Sequence, residues 1–318
     1  MARIEKFEPG LEEKILECWN NILEKDPITM EVFERKILLD PNFVNDGFLI
    51  ARENDKIAGF IINIYSRYPL FYQKIEKNAG WITVLAFKND KEGLSIGREL
   101  LDKSLEWFRK NDKNVIYFSN YIPNYFTPGI DAEAYPQIYK ILIEFGFEEI
   151  HEALAMDTSL WPKLTYPDNI ESIVQRLRNE GIKFSFMKTK YLRPFIDFLE
   201  KNMPADWYRH ALELLKRNRK NQIIIAVKGN EVVGYCQFWN GEGYDWYSKG
   251  AHFGPFGVRE DFRGKGIGTV LLYKCLAEMK KNGIHNAFVL WTDERAGRLY
   301  SRFGFNVTRR FKVMKKVL

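Results

Sequence analysis

Residues 258–272 read VREDFRGKGIGTVLL, a short charged loop followed by an apolar segment with helical character. The N-terminus of a helix has unpaired N–H groups and about half a positive charge, and glycine lets a ligand approach the backbone closely. The stretch therefore predicts an anion site, and a phosphate-bearing ligand is the first hypothesis. The residues that form this loop alternate basic or apolar side chains with glycine: Arg263, Gly264, Lys265, Gly266, Ile267 and Gly268.

Composition limits the class of protein. The chain has 318 residues, of which 46% are hydrophobic, so it has core material for two domains. The net charge of +6 results from 48 basic and 42 acidic residues, a bias too small to indicate a nucleic-acid partner. No signal peptide or membrane-spanning run is visible, and the three cysteines show no CxxC spacing. We therefore expect a soluble, cytoplasmic protein without a membrane partner, a disulfide framework or a metal site.

The same order of predicted elements occurs twice along the chain: a hairpin, a strand, a helix, a strand, a helix and a strand. FKNDKEGLSIGRELL at residues 87–101 aligns with the opening stretch without a gap, and ARENDKIAGF at 51–60 matches AVKGNEVVGY at 226–235. These matches indicate an internal duplication. We predict an N-terminal domain over residues 1–160, a linker and connecting helix over 161–181, and a C-terminal domain over 182–318.

Three kinds of phosphate-binding loop compete for the opening stretch. A Walker A loop requires Ser or Thr after its Lys, whereas Gly266 follows Lys265. A Rossmann fingerprint is GxGxxG near the start of a βαβ domain, whereas this GxGxG pattern comes late in its domain. RGKGIG at 263–268 instead resembles the acetyl-CoA loop of the GNAT acetyltransferase superfamily, Arg/Gln-x-x-Gly-x-Gly/Ala. AGRLYSRFGF at 296–305 resembles that family's A-x-x-L-Y-x-x-x-G-F block.

The resemblance implies a tandem GNAT protein with a layout similar to that of mycothiol synthase. Its fold class would be mixed α/β, with two domains that each have a mostly antiparallel sheet, flanking helices and a splayed pair of strands. The implied activity is an N-acetyltransferase that moves an acetyl group from acetyl-CoA, without a metal, to the amine of a small-molecule or amino-acid-like acceptor in the C-terminal domain. The alternative is a non-catalytic acyl-CoA-binding module. A monomer and a homodimer are both open.

The resemblance also implies which residues bind the coenzyme. Pro255 removes a donor from its strand, which is tolerable where the strand splays and frees the following backbone for the pantetheine arm. Asp293 stands where the family commonly has Asn, and an aspartate cannot donate a hydrogen bond. The implied coenzyme-binding residues are Phe256, Gly257, Val258, Arg263, Gly264, Lys265, Gly266, Ile267, Gly268, Thr269 and Asp293.

Two residues are the implied catalytic pair. Tyr300 occupies the family position of the general acid that protonates the coenzyme A thiolate, and a tyrosine that fills the core is the other interpretation.

His252 is the candidate general base, and a hydrogen-bonded structural histidine is an equal alternative. Strand alternation predicts that His252 shares a face with Gly254, Phe256 and Val258. Weaker candidates for the base are Tyr244, Asp245 and Glu260.

The first copy differs at the positions that matter. Glu92 stands where the second loop has its arginine, Ser95 replaces the tight glycine, and Leu142 takes the place of the tyrosine. We therefore predict that the first copy is inactive and binds coenzyme A poorly.

The aromatic stretch 121–135 either packs over the first sheet or shapes an acceptor pocket. The basic C-terminal end, 309–316, is expected to form an edge strand.

Overall fold

The computed structural model describes residues 2–71, 75–240 and 250–318. The chain forms two compact units. Unit 1 comprises Met1–Ala153 and Arg309–Leu318, and unit 2 comprises Leu154–Thr308. These units differ from the domains expected from the sequence, because the last ten residues of the chain belong to the first unit and not to the second.

Unit 1 contains a mixed sheet with the order β1-β2-β3-β4-β5-β12-β6. Its strands are β1 (Arg3–Lys6), β2 (Phe48–Glu53), β3 (Lys56–Ile64), β4 (Ala79–Phe87), β5 (Val115–Phe118), β6 (Glu148–Ser159) and β12 (Asn306–Val317). Its α-helices are α1 (Glu12–Ile22), α2 (Met30–Phe33), α3 (Lys91–Lys110) and α4 (Pro136–Glu144). Short π- and 3-10 helices occupy Glu34–Leu38 and Asn45–Gly47. The β2–β3 hairpin turns at Asn54 and Asp55, both with positive φ, as a two-residue turn requires.

Unit 2 repeats this arrangement with the order β12-β6-β11-β10-β9-β8-β7, and both β6 and β12 have residues in either unit. Its further strands are β7 (Ile182–Phe186), β8 (Ile223–Lys228), β9 (Glu231–Trp239), β10 (Ala251–Val258) and β11 (Asn286–Thr292). Its α-helices are α5 (Ile170–Asn179), α6 (Leu192–Asn202), α7 (Ala205–Lys216), α8 (Ile267–Lys281) and α9 (Glu294–Ser301). Short 3-10 helices occupy Thr189–Tyr191, Lys220–Gln222 and Glu260–Phe262.

Each unit contains one short parallel pair of strands, and the pair in unit 2 separates early. In unit 1, β4 and β5 pair from Ala79 to Ile82. In unit 2, β10 and β11 pair only at Ala251 and His252, whereas β10 continues to Val258. The other pairs formed by β7 to β10, and by β6 with β11, are antiparallel. The predicted fold class, mixed α/β with two repeats of mostly antiparallel strands flanked by helices, is therefore confirmed.

Two groups of helices cover the two faces of the unit 2 sheet. Buried residues of α8 and α9 pack against Cys236, Phe238 and Phe253 on one face. Buried residues of α6 and α7 pack against Tyr235 and Trp239 on the other. Successive residues of β9 thus face different helices, as the alternation of a strand requires.

The basic C-terminal end is an inner strand, and the expectation of an edge strand is wrong. Residues of β12 from Met314 to Val317 pair with β5, and β6 is the other neighbour of β12 in the sheet order. The basic side chains of β12 form ion pairs there with acidic side chains. Arg309 lies 2.6 Å from Asp26 and 2.7 Å from Asp131, and Lys312 lies 3.2 Å from Glu149.

The cysteines Cys18, Cys236 and Cys275 are free and buried. No helix in the described part of the chain is long and apolar enough to cross a bilayer. The same residues hold no group of three or more His, Cys, Asp or Glu side chains arranged for a metal ion.

Candidate active site

The glycine loop ends at the first turn of α8. Gly264 and Gly266 have φ values of 77° and 86°, in the left-handed region that glycine tolerates. A Cβ on Gly266 would lie 2.8 Å from Cγ2 of Ile173, so no side chain fits there without a shift. The backbone N–H groups of residues 264–269 donate no hydrogen bond to any described residue. A phosphate fits this cradle, because unpaired N–H groups at a helix N-terminus are ready donors to an anion.

Basic side chains surround the loop and hold its backbone. Arg263 donates from Nε to the carbonyl oxygen of Val258 at 3.1 Å, and Lys265 donates to that of Asp261 at 3.0 Å. Arg176 donates from Nη2 to the carbonyl oxygen of Lys265 at 2.9 Å. Arg176 lies on α5, and no motif in the sequence pointed to it.

A β-bulge interrupts β10 between Phe253 and Phe256, where two residues oppose one residue of β9. Gly254 has a φ of 112°, a conformation that favours glycine, and Pro255 follows it. The rings of Phe253 and Phe256 lie 5.9 Å apart on the same side of the strand. The predicted face shared by His252, Gly254, Phe256 and Val258 is therefore wrong, because the bulge turns Phe256 and Val258 toward α8.

The open edge of β10 lies beside the glycine loop. Phe256, Gly257 and Val258 pair with β9 on one side, whereas no ladder pair with β11 extends past His252 in the described strands. The Phe256 ring reaches the first turn of α8, where a Cβ on Gly268 would lie 3.0 Å from its Cζ. In the described strands, this arrangement leaves the predicted pantetheine-binding segment without a strand partner on one edge.

Tyr300 is buried against the bulge. Its ring meets Phe253 edge to face at 5.2 Å and lies 6.2 Å from Phe256. Burial raises the pKa of the Tyr300 phenol well above its usual range, and a hydrogen bond with Thr292 opposes that shift. The phenol is therefore protonated at neutral pH. A protonated donor suits the predicted general acid, and the same packing also suits a core tyrosine.

His252 points to the other side of β10. Its ring lies 5.4 Å from that of Phe288, and it pairs in register with Trp239. Burial, and then the charge of His210, lower the pKa of His252 well below its usual range. The imidazole is therefore neutral at neutral pH, which is the form a general base requires.

The remaining predicted site residues have less distinctive positions. The side chain of Asp293 caps α9 and accepts a hydrogen bond from the N–H of Ala296 at 2.7 Å. This capping role occupies one carboxylate oxygen and leaves the predicted coenzyme contact as a prediction. Glu260 is exposed ahead of the loop. Tyr244 and Asp245 lie outside the described residues.

The first copy has a helix where the second has the loop. α3 begins at Lys91, and Asp90 caps it by accepting a hydrogen bond from the N–H of Gly93 at 2.7 Å. Glu92 and Ser95 therefore lie within helical turns, and Leu142 is fully buried in α4. A helix end that its own side chain caps has fewer donors for an anion.

The aromatic stretch 121–135 packs within unit 1. Tyr121, Phe126 and Ile130 are buried, and the ring of Phe126 lies 4.8 Å from that of Trp19. A cavity of about 40 Å³ remains beside them, lined in part by Thr83 of β4. The burial of these side chains agrees with the interpretation of a packed loop, and the acceptor pocket stays a prediction.

Sequence reasoning missed a polar face on β9. Tyr235 and Gln237 are fully buried, and Trp239 is nearly so, on the side that faces α6 and α7. The signal available in the sequence was Gln237, a polar residue in the otherwise apolar run of the strand EVVGYCQFW.

The repeated order of strands and helices, the splayed strands and the glycine loop are the features of a tandem GNAT fold. The model of the acetyltransferase (GNAT) family matches residues 11–125 and 189–305, and the chain belongs to this family. No curated protein matches the chain.

Solved structures share the fold. One is described as a unique GCN5-related glucosamine N-acetyltransferase region of a fungal multi-domain beta-N-acetylglucosaminidase, with a TM-score of 0.78 at 19% identity, over 99% of this chain and 38% of that one. The chain therefore spans well under half of that protein. A GCN5-related N-acetyltransferase from Sphaerobacter thermophilus has a TM-score of 0.70 at 17% identity, over 99% and 95% of the two chains. A tandem GNAT protein from the clavulanic acid biosynthesis pathway has a TM-score of 0.63 at 13% identity, over 100% and 98%.

Proposed function

We propose that unit 2 transfers an acetyl group from acetyl-CoA to the amine of a small molecule. The observation that carries the proposal is the glycine loop at the start of α8, whose N–H groups are unpaired among the described residues. The open edge of the splayed strand β10 lies next to it in the same unit. Membership of the acetyltransferase family supports the choice of acetyl-CoA over other phosphate-bearing ligands.

In this proposal the loop and the strand hold different parts of the donor. The N–H groups from Gly264 to Thr269 bind the pyrophosphate, and Arg263 and Lys265 add positive charge. The free backbone edge from Phe256 to Val258 pairs with the pantetheine arm, and an N–H there polarises the thioester carbonyl.

The proposed reaction is direct attack of the amine nitrogen on the thioester carbon. The new C–N bond forms as the C–S bond breaks, and the nitrogen loses a proton to neutral His252. The departing thiolate takes the phenolic proton of Tyr300. The two side chains lie on opposite faces of β10, which suits groups that act on the nucleophile and on the leaving group respectively.

We infer a small acceptor and a cytoplasmic protein without a nucleic-acid or membrane partner, as a monomer or a homodimer. The interspersed charges support a small acceptor over a nucleic acid, since a basic stripe is the usual electrostatic footprint of nucleic-acid binding. The similar fungal region is described as a glucosamine N-acetyltransferase, so amino sugars belong in any acceptor panel along with amino acids.

Thermal melts and thiol release test the proposal together. Acetyl-CoA that binds the folded state raises the melting temperature, and its transfer releases free coenzyme A thiol only when an acceptor amine is present. Absence of a melt shift at millimolar acetyl-CoA would overturn the proposal. The non-catalytic alternative predicts a melt shift without thiol release or acetylated product across the whole amine panel.

A further inference from the structure

Three polar side chains point to the same face of β9, and their buried atoms have no hydrogen-bond partner in the described part of the chain. These atoms are Oη of Tyr235, both amide atoms of Gln237 and Nε1 of Trp239, and none of them is bonded to a described residue. Tyr235 and Gln237 are 0% exposed and Trp239 is 3% exposed. Buried polar groups are nearly always paired, so three such groups in alternate positions indicate a hydrogen-bonding partner beyond the described side chains.

These side chains lie along the splayed strand. Tyr235 is in register with Gly257 of β10 and Trp239 with His252, whereas Gln237 lies opposite the bulge between them. A Cβ on Gly257 would lie 2.6 Å from Sδ of Met203, at the junction of α6 and α7. The polar face therefore lies between β10 and these helices, on the side of His252 and opposite to Tyr300.

Among the described residues, the charges of α7 next to this face are net negative. Arg209 of α7 bonds to Asp206 at 3.0 Å and to Glu213 at 2.5 Å, so one guanidinium serves two carboxylates. His210 joins the same network through Asp206 at 3.4 Å, and its ring meets that of Trp239 at 5.6 Å. Arg209 already forms ion pairs with two carboxylates, so it attracts a third anion only weakly. The net negative charge of this group instead favours an ammonium group nearby.

We infer that Tyr235, Gln237 and Trp239 bind the acceptor, and that the acceptor is an amine with neutral hydroxyl or amide groups and no carboxylate. Gln237 both donates and accepts, the indole N–H only donates, and the phenol does either. A hydroxyl group, which also donates and accepts, complements all three, whereas a carboxylate needs an unpaired cation, and the described residues next to this face supply none. The inference rests on the proposed acetyl transfer and narrows its substrate class.

A matched pair of acceptors tests the charge requirement. Serinol and serine differ in one position, a hydroxymethyl group against a carboxylate, and glucosamine extends the hydroxylated set. We expect kcat/KM to be at least tenfold higher for serinol than for serine. Equal kcat/KM values for the two amines, or a higher value for serine, would overturn the inference. The proposed function would still stand, because acetyl transfer would be observed.

Two conservative variants test the residues. Gln237→Leu and Tyr235→Phe remove the polar atoms and retain most of the volume. We expect each to raise KM for the hydroxylated amine at least tenfold, with kcat and the acetyl-CoA melt shift retained. Phe238→Leu, on the opposite face of β9, is the matched control for a core substitution. An unchanged KM in both polar variants contradicts the inference.

A third readout does not depend on turnover. The hydroxylated amine should raise the melting temperature of the wild type in the presence of coenzyme A, and should fail to do so in Gln237→Leu. In the absence of any amine, Gln237→Leu should melt at or above the wild-type temperature, because the amide has no partner to lose. A clear drop in melting temperature would indicate that internal water satisfies the amide, and would count against the inference. Loss of the acetyl-CoA shift in the wild type itself would instead refute the proposed function.

Discussion

The guanidinium of Arg176 donates a hydrogen bond to the main-chain carbonyl of Lys265, with Nη2 and the oxygen 2.9 Å apart. Arg176 lies on α5, outside both segments that match the family. The C=O and N–H of a trans peptide point in opposite directions. Holding the carbonyl of Lys265 toward α5 therefore turns the N–H of Gly266 away from α5.

Arg176→Ala should weaken acetyl-CoA binding by about fivefold, since a hydrogen bond contributes roughly 1 kcal/mol. The value of kcat should stay close to that of the wild type, because the hydrogen bonds of Arg176 go to Glu180 and Lys265, neither of which is a proposed catalytic residue. Titration calorimetry gives the affinity directly. Arg178→Ala removes an exposed arginine of the same helix that makes no bond to the loop, and an equal loss in that control would assign the effect to net charge.

Gly266→Ser places the first copy's residue in the second copy's loop. The left-handed φ of 86° disfavours any side chain by roughly 1–2 kcal/mol. The new Cβ would also meet Ile173 at 2.8 Å. We expect a lower melting temperature and the loss of most of the shift caused by acetyl-CoA.

Gly283→Ser is the control for this strain. Gly283 also has a left-handed φ, 77°, but a Cβ there would meet nothing within 4 Å. We expect it to destabilise the protein by a similar backbone strain and to leave the acetyl-CoA shift intact. If both variants lose the rise in melting temperature caused by acetyl-CoA, the close packing around Gly266 is not what forms the coenzyme site.

Tyr300→Phe separates the two interpretations of this residue. The ring contacts with Phe253 and Phe256 survive the change, so stability and acetyl-CoA affinity should be retained. Loss of the proton donor should lower kcat by about 100-fold, as is usual for a general acid. Steady-state kinetics with a saturating donor measures this. An unchanged kcat would identify Tyr300 as a core tyrosine.

The two copies should differ in stoichiometry. The N-terminus of α3 is capped by Asp90, whereas that of α8 has no side-chain cap. We expect one acetyl-CoA to bind per chain in a calorimetric titration. Asp90→Ala should reduce the free energy of unfolding by about 1 kcal/mol through the lost cap and leave that titration unchanged. A second binding event in the wild type would show that the first copy retains a coenzyme site.

The sequence predicted local features well and failed where two distant segments decide the outcome. Alternating glycines specified the loop, because backbone conformation at Gly264 and Gly266 is a local property. The predicted orientation of the Phe256 side chain was wrong, because the β-bulge that turns it arises from the register of β10 with β9. The inner position of β12 depends on its pairing with β5, which lies nearly two hundred residues earlier in the chain. The basic residues of β12 alone indicated an edge strand, and that prediction was wrong.

His252 should make stability depend on pH. Its folded-state pKa is well below the usual 6.5, mainly through burial and then through the charge of His210. Below pH 6.5 the unfolded chain therefore takes up a proton that the folded protein does not, so stability is lost as the pH falls from 6.5 toward the folded pKa.

His252→Gln should remove this dependence. We expect the free energy of unfolding to fall with decreasing pH more steeply in the wild type than in the variant, by up to about 1.4 kcal/mol per pH unit. Urea denaturation at several values between pH 7.5 and 5 gives the two slopes. His285→Gln, at an exposed position, controls for the loss of a histidine as such. Parallel slopes for the wild type and His252→Gln would mean that His252 becomes protonated within the folded protein, and such a histidine would be a poor base below neutral pH.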